Sequence, residues 1–217
     1  LGGVRPLNAF EHLPEVLAAQ MAQRALLDRV DTKFVLRSRE LPELLGQLDP
    51  ADYGVARHPE GEMFHYENLY FDTADRAFLR AHHRGQRPRF KVRLRHHVSR
   101  NISFFEIKQK RPSDATTKER IPVDFRSQTL SDTALSMLQA EPRLARYALE
   151  PAMHIGFQRA MLVGLNTSER ISIDQHLKFS DTQTKAHMDD LAIVEVKQRR
   201  FAARSPIMRA LRAQGAL

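Results

Sequence analysis

Cysteine and tryptophan are both absent from the 217 residues. Without cysteine there are no disulfides, no thiol nucleophile and no Cys-ligated zinc, which fits a reducing compartment and makes a cytoplasmic location the expectation. Without tryptophan a nucleic-acid reader lacks a strong stacking platform, and the remaining aromatics fall mostly on apolar strand positions. No apolar run approaches the roughly 20 residues a membrane-spanning helix needs. No membrane segment is therefore expected within this chain, which leaves room for a membrane partner. Linker-like stretches, fixed-period repeats, a glycine-rich phosphate loop and a nucleophile elbow are missing as well. Covalent catalysis is not indicated, and one domain over residues 1–217 is the expectation.

What the chain does have is positive charge: 34 Lys and Arg against 26 Asp and Glu, a formal +8. An anionic partner follows, whether nucleic acid, anionic membrane or a phosphate-rich substrate. The charge is also patterned. In "RFKVRLRHH", Arg89, Lys91, Arg93 and Arg95 occupy every second position, with Phe90, Val92 and Leu94 between them. On a strand the two sets point to opposite faces, one a ladder of cations and the other apolar. The alternation recurs in "DTKFVLRS", "ISFFEIKQK", "KERIPVDF", "ERISIDQHLKF" and "AIVEVKQR". A solvated outer face is one account of the charged parity. Against it, that parity is strongly one-signed, and like charges at neighbouring positions repel. The alternative is an inside-out barrel whose buried cations line a tunnel, which requires a polyanion and some metal as counter-charge.

The spacing predicts a leading helix over 11–29, a Ser38-capped helix in "RELPELLGQL", and a helix in "ADRAFLRAH" capped by Asp72 or Thr73. It also predicts helices in "TLSDTALSMLQ" and "PRLARYAL", and a closing helix over 205–214 with Ser205 at its N-cap and Pro206 at N1. Pro122 argues for a strand edge or a bulge. Strands outnumber helices and follow one another through turns, which suits an antiparallel α+β arrangement. His82-His83 and His96-His97 are adjacent pairs, and neighbours on a strand face opposite ways, so neither makes a natural two-ligand metal site.

The ordered series "DTKFVL", "LYFDT", "RFKVRLR", "FFEIKQK", "KER", "QRAML", "RISID" and "AIVEVK" resembles the VTC (vacuolar transporter chaperone) domain over residues 28 to 212. The resemblance implies the triphosphate tunnel, or CYTH-like, fold: α+β, an eight-stranded antiparallel β-barrel tunnel with a basic interior, covered by helices. It implies a metal-dependent polyphosphate polymerase, a transferase moving the ATP γ-phosphoryl onto a polyphosphate chain, with nucleoside triphosphate and polyphosphate as partners and Mn²⁺ or Mg²⁺ as cofactor. By position, the implied substrate-binding set is Lys33, Arg37, Arg89, Lys91, Arg93, Arg95, Lys108, Lys110, Arg120, Arg159, Arg170 and Lys197. Lys33, Arg93, Arg95, Lys108 and Lys197 are the implied catalytic residues, Asp174 is a further matching position, and Glu195 is the implied metal ligand. These types suit the roles, since Arg grips phosphate oxygens in pairs, Lys acts as a point charge, and Mg²⁺ and Mn²⁺ need hard oxygen ligands. Glu106 in "FEIK" shares the Glu-x-Lys setting of Glu195 in "VEVK" and is expected to balance charge. Hydrolytic relatives open with Glu-x-Glu-x-Lys, whereas this chain reads Arg29-Val30-Asp31-Thr32-Lys33. That departure favours the polymerase over a triphosphatase of the same fold. A non-catalytic polyphosphate or nucleic-acid binding module is the remaining alternative.

Overall fold

The computed structural model describes residues 9–17, 29–113 and 115–216. Its strands are β1 (Glu15–Val16), β2 (Val30–Arg37), β3 (Tyr53–Ala56), β4 (Phe64–Asp72), β5 (Arg89–His97), β6 (Ile102–Lys110), β7 (Thr116–Val123), β8 (Glu150–Gly164), β9 (Glu169–Ser180), β10 (Lys185–Met188) and β11 (Leu191–Gln198). Its helices are α1 (Leu41–Gly46), α2 (Ala77–His83), α3 (Asp132–Ala140) and α4 (Pro206–Ala213). The class is α+β with a mostly antiparallel sheet. Its hydrogen-bonded strand order is the open path β2-β11-β9-β8-β4-β5-β6-β7, so the expected closed barrel is not shown. β7 ends that path as an edge should: Pro122 has no N–H to offer a further strand, and Lys118, Glu119 and Arg120 charge it.

The chain divides into two compact units. Unit 1 comprises Leu1–Phe64, Gln158–Leu177 and Met188–Leu217. In it β2, β11 and β9 pair antiparallel in that order, β3 pairs with the end of β8, and β1 runs parallel to β3. Period-two alternation puts Phe34, Leu36, Ile171, Ile173, Val194 and Val196 on one face, where they pack with Leu41, Leu44 and Leu45 of α1 and Ile207, Met208 and Leu211 of α4. Each such side chain contributes about 1.5–3 kcal/mol by leaving water. The start of α4 is held by a buried tyrosine: the Tyr53 hydroxyl donates to Glu169 Oε2 at 2.8 Å and accepts from the Ile207 N–H at 3.3 Å.

Unit 2 comprises His65–Phe157 and Lys178–His187. Strands β4 to β7 form a meander, and Leu69, Phe71, Phe90, Val92, Leu94, Phe105 and Ile107 pack with Phe78 of α2 and Ala134 and Leu138 of α3. The N-cap of α2 is Arg76 rather than Asp72 or Thr73, but both of those side chains reach its first turn from upstream. Asp72 accepts from the N–H groups of Phe78 and Leu79 at 2.8 and 2.9 Å, and the Thr73 hydroxyl accepts from Ala77 N–H at 2.9 Å. These bonds satisfy donors that have no partner inside the helix.

Three helix expectations need correction. Ser38 does not cap α1: it opens a 3-10 turn over Ser38–Glu40 whose N-cap is Arg37, and α1 begins at Leu41 with Glu40 as its N-cap. Residues 9–13 turn and Glu15–Val16 form β1, with the Pro14 carbonyl accepting from Val55 N–H; residues 18–28 of the predicted leading helix lie outside the described residues. "PRLARYAL" forms turns, closed by the short-range bonds Leu144 to Glu141 and Tyr147 to Leu144, because burying Leu144 alone does not require a helix face. No helix among the described residues is long and apolar enough to cross a membrane.

Candidate functional site

The alternation places the cations of unit 2 on one face, and hairpin register sorts them into cross-strand rows. Arg89 lies opposite Lys110, Lys91 opposite Lys108 and Lys108 opposite Lys118, Arg93 opposite Glu106 and Glu106 opposite Arg120, and Arg95 opposite Phe104. Three lysines therefore stand side by side across three strands. Like charges directly opposite one another destabilise a sheet, and among the described residues of β5, β6 and β7 the charged side chains of this parity are eight cations and Glu106.

That carboxylate, Glu106, is 2% exposed. Its Oε2 accepts from Arg93 Nε at 2.8 Å and Nη2 at 2.6 Å, Lys118 Nζ lies 2.5 Å from Oε1, and Arg95 Nε is 3.9 Å away. Burial alone pushes the Glu106 carboxyl up, but Arg93, Arg95 and Lys118 outweigh it and hold the pKa down to about 2. Lys118 is shifted the other way, its ammonium lowered by burial despite Glu106. On the far side of the arginines, β4 supplies an acceptor to each. Arg93 Nη1 donates to Tyr70 Oη at 2.8 Å, and Arg95 Nε to Asn68 Oδ1 at 2.8 Å, while Asn68 Nδ2 donates to the Ile155 carbonyl at 3.0 Å. The Arg120 guanidinium stacks over Phe104 at 4.7 Å. His97 ends the face as a neutral ring, its pKa lowered to about 4 mainly by burial.

Unit 1 arranges charge differently. Lys33, Glu195 and Ser172 form one row, Asp31, Lys197 and Arg170 the next, and Val35, Ile193 and Asp174 a third. The signs alternate here. Glu195 is in contact with Lys197, whose Nζ also donates to Ser172 Oγ at 3.3 Å, and Lys33 Nζ lies 3.9 Å from Glu195 Oε1. Arg159 holds Asp174 by two bonds of 2.5 and 2.6 Å, Arg29 holds Asp31 at 2.8 Å, and Arg37 reaches Asp190 at 2.6 Å. Burial raises the Glu195 carboxyl, yet Lys197, Lys33 and Arg159 bring it below its ordinary range; Lys197 is lowered by burial in spite of Glu195.

Among the predicted residues, then, Arg89, Lys91, Arg93, Arg95, Lys108, Lys110 and Arg120 come together in unit 2, and Lys33, Arg159, Arg170, Lys197 and Glu195 in unit 1. Arg37 stands at a strand end with a carboxylate of its own. Lys118 belongs with the first group although its strand reads as an edge. Asn68 and Tyr70 were hidden in the aromatic-rich "ENLYFDT", where only their shared parity marked them.

The donor set was tested for a divalent metal. Among the described residues no three His, Asp or Glu side chains are grouped to hold one, so a cage made by the protein alone does not fit. A magnesium-type ion held by one carboxylate and phosphate oxygens does fit, because such ions need few protein ligands when phosphates supply the rest. Glu195 is the half-buried carboxylate that suits this, its Oε1 meeting Lys33 only at 3.9 Å.

The VTC domain profile matches residues 28–216. Among solved structures, a candidate adenylate cyclase from Bacillus halodurans is similar at 16% identity with a TM-score of 0.53, covering 87% of this chain and 90% of that one. That likeness shows a shared fold. A candidate adenylyl cyclase from Hippeastrum, described with a dominant triphosphatase activity, is similar at 13% identity with a TM-score of 0.48, covering 86% of this chain and 88% of that one. No curated protein sequence matches the chain.

Proposed function

Because the chain belongs to the VTC domain family, we propose that it is a phosphotransferase that binds nucleoside triphosphate and moves the γ-phosphoryl onto a polyphosphate chain. The observation that carries this reading is the row Lys91, Lys108 and Lys118, flanked by Arg89 with Lys110 and by Arg93 with Arg120. A single linear polyanion lying along these rows would turn their mutual repulsion into attraction. In the reaction the bond between the γ phosphorus and its bridging oxygen breaks, a terminal oxygen of the acceptor chain bonds to that phosphorus, and nucleoside diphosphate leaves. Positioning and charge neutralisation are most of what this step needs, and a lattice of Arg and Lys supplies both without a nucleophile. In unit 1, Glu195 would take the Mn²⁺ or Mg²⁺ that accompanies a phosphate group, with Lys33, Lys197, Arg159 and Arg170 around it. When bound, such an ion neutralises phosphate charge. Arg29 at the first glutamate position of the hydrolytic Glu-x-Glu-x-Lys pattern supports transfer over hydrolysis, because it leaves one carboxylate fewer for metal, and the remaining Asp31 is paired with it.

Incubation with ATP and Mn²⁺ followed by gel analysis tests the proposal. Long phosphate polymer is the expected product; orthophosphate alone would replace the polymerase with a triphosphatase, and neither product would reduce the chain to a binding module. A second expectation concerns selectivity. At equal phosphate concentration tripolyphosphate should outcompete duplex DNA, since one narrow chain can touch every row and a duplex cannot, and both should weaken as salt rises. Equal or tighter binding of duplex in a competition titration would count against a site shaped for a linear phosphate chain.

A further inference from the structure

We infer that Tyr70 is a phosphate-contacting residue of the unit 2 face, donating its hydroxyl proton to a phosphate oxygen held by Arg93. The inference rests on the phosphate-binding reading above. Register places Tyr70 directly opposite Arg93, so its ring shares the face of the cation ladder. Its oxygen is already an acceptor, taking the Arg93 Nη1 proton at 2.8 Å, which fixes the hydroxyl beside the guanidinium. The guanidinium itself is turned by the two bonds of Glu106 and stands over the Tyr70 ring at 5.6 Å. The phenol proton is left with no acceptor among the described residues. Tyr70 is partly exposed on this face, so its hydroxyl proton is open to an acceptor that lies along the ladder. An anion lying on the ladder provides one, and a hydrogen bond to a charged partner is of the stronger kind.

The electrostatic surroundings agree with this geometry. Lys91, Arg93 and Arg95 face Tyr70 from β5, with Glu106 behind Arg93 on β6 and Lys118 on β7. The unit 2 stretch of β8 carries Glu150, which is paired with Arg76, and the exposed His154. Burial pushes the phenol up, but Arg93, Arg95 and Lys91 together bring it below its ordinary 10.0. Tyr53 behaves oppositely, raised by burial and by its bond to Glu169. The two tyrosines are therefore expected to ionise in different pH ranges.

Ultraviolet difference titration of the whole chain reads this directly. One tyrosine should ionise before the others, and Tyr70→Phe should lose that step. Saturating tripolyphosphate should move the step to higher pH in the wild type, because a phosphate anion beside the oxygen favours the protonated donor. Tyr70→Phe should also weaken tripolyphosphate binding about tenfold, the scale of one hydrogen bond to a charged group. If tripolyphosphate binds the wild type without moving the early step, or binds Tyr70→Phe equally well, Tyr70 is only a support for Arg93 and this inference falls while the phosphate reading stands. If tripolyphosphate does not bind the wild type at all, both fall. The wild-type titration needs no variant, so a Tyr70→Phe protein that fails to fold does not rescue the inference.

Discussion

Glu106→Gln should destabilise unit 2 by about 3–5 kcal/mol, the range seen when one partner of a buried charge network is removed. Gln keeps the shape and an amide oxygen but withdraws the charge shared by Arg93, Arg95 and Lys118. Those cations would then face one another with nothing between them. Chemical denaturation at neutral pH measures the loss, and a change under 1 kcal/mol would show that the carboxylate is not the centre of this network. Tripolyphosphate should restore more stability to the variant than it adds to the wild type, since it supplies the missing negative charge. The acid dependence has a definite sign. The Glu106 carboxyl is held at about 2, below its ordinary 4.5, so its contribution is complete above 4.5 and is lost as pH falls from there through about 2. The variant should lack that portion of the acid transition.

Glu195→Gln should have the largest effect on activity, abolishing metal-dependent turnover while leaving tripolyphosphate binding intact or slightly tighter. Lys33 and Lys197 remain, and one carboxylate that repels phosphate is gone. Lys197 keeps its bond to Ser172, so the stability loss should stay well below that of Glu106→Gln. Parallel Mn²⁺ titrations of the wild type and the variant decide the matter. Normal turnover with unchanged metal affinity in Glu195→Gln would remove the assigned metal ligand and with it much of the case for catalysis over simple binding.

The contrast between these two glutamates shows where sequence reading stops. Parity along one strand was legible, because a period of two is written directly in "RFKVRLR" and "FFEIKQK", and the structure keeps Arg89, Lys91, Arg93, Arg95, Lys108 and Lys110 on one face. Cross-strand register was not, because it depends on the turns between β5, β6 and β7. The expectation that Glu106 balances charge agrees with its place among Arg93, Arg95 and Lys118, but the shared Glu-x-Lys setting did not name those partners or show that Glu195 would meet Lys197 two residues away. Lys118 was absent from the implied set although Arg120 of the same strand was in it, because only pairing with β6 brings its ammonium to Glu106. Asn68 and Tyr70 have no charge to mark them, and their value comes wholly from the arginines they face. Local punctuation fared unevenly. Asp72 and Thr73 were readable as acceptors for the start of α2 because they stand a few residues before it, although the N-cap itself is Arg76, whereas the turns at "PRLARYAL" depend on what Leu144 packs against.

The lysine row across β5, β6 and β7 also constrains how this protein can change over generations. On the proposed reading, the lysines that would hold an anion are also like charges that register sets opposite one another, so substitutions that relieve that repulsion would also remove the proposed binding face. Selection for heat resistance in the absence of phosphate would drift toward Gln, Thr or Glu at positions 91, 108 and 118 and return sturdy proteins with nothing left to hold. Selection with a linear phosphate chain present would run the other way, because the occupied face rewards each cation it keeps. On that reading, a lineage that lost its substrate should show it first by losing that row.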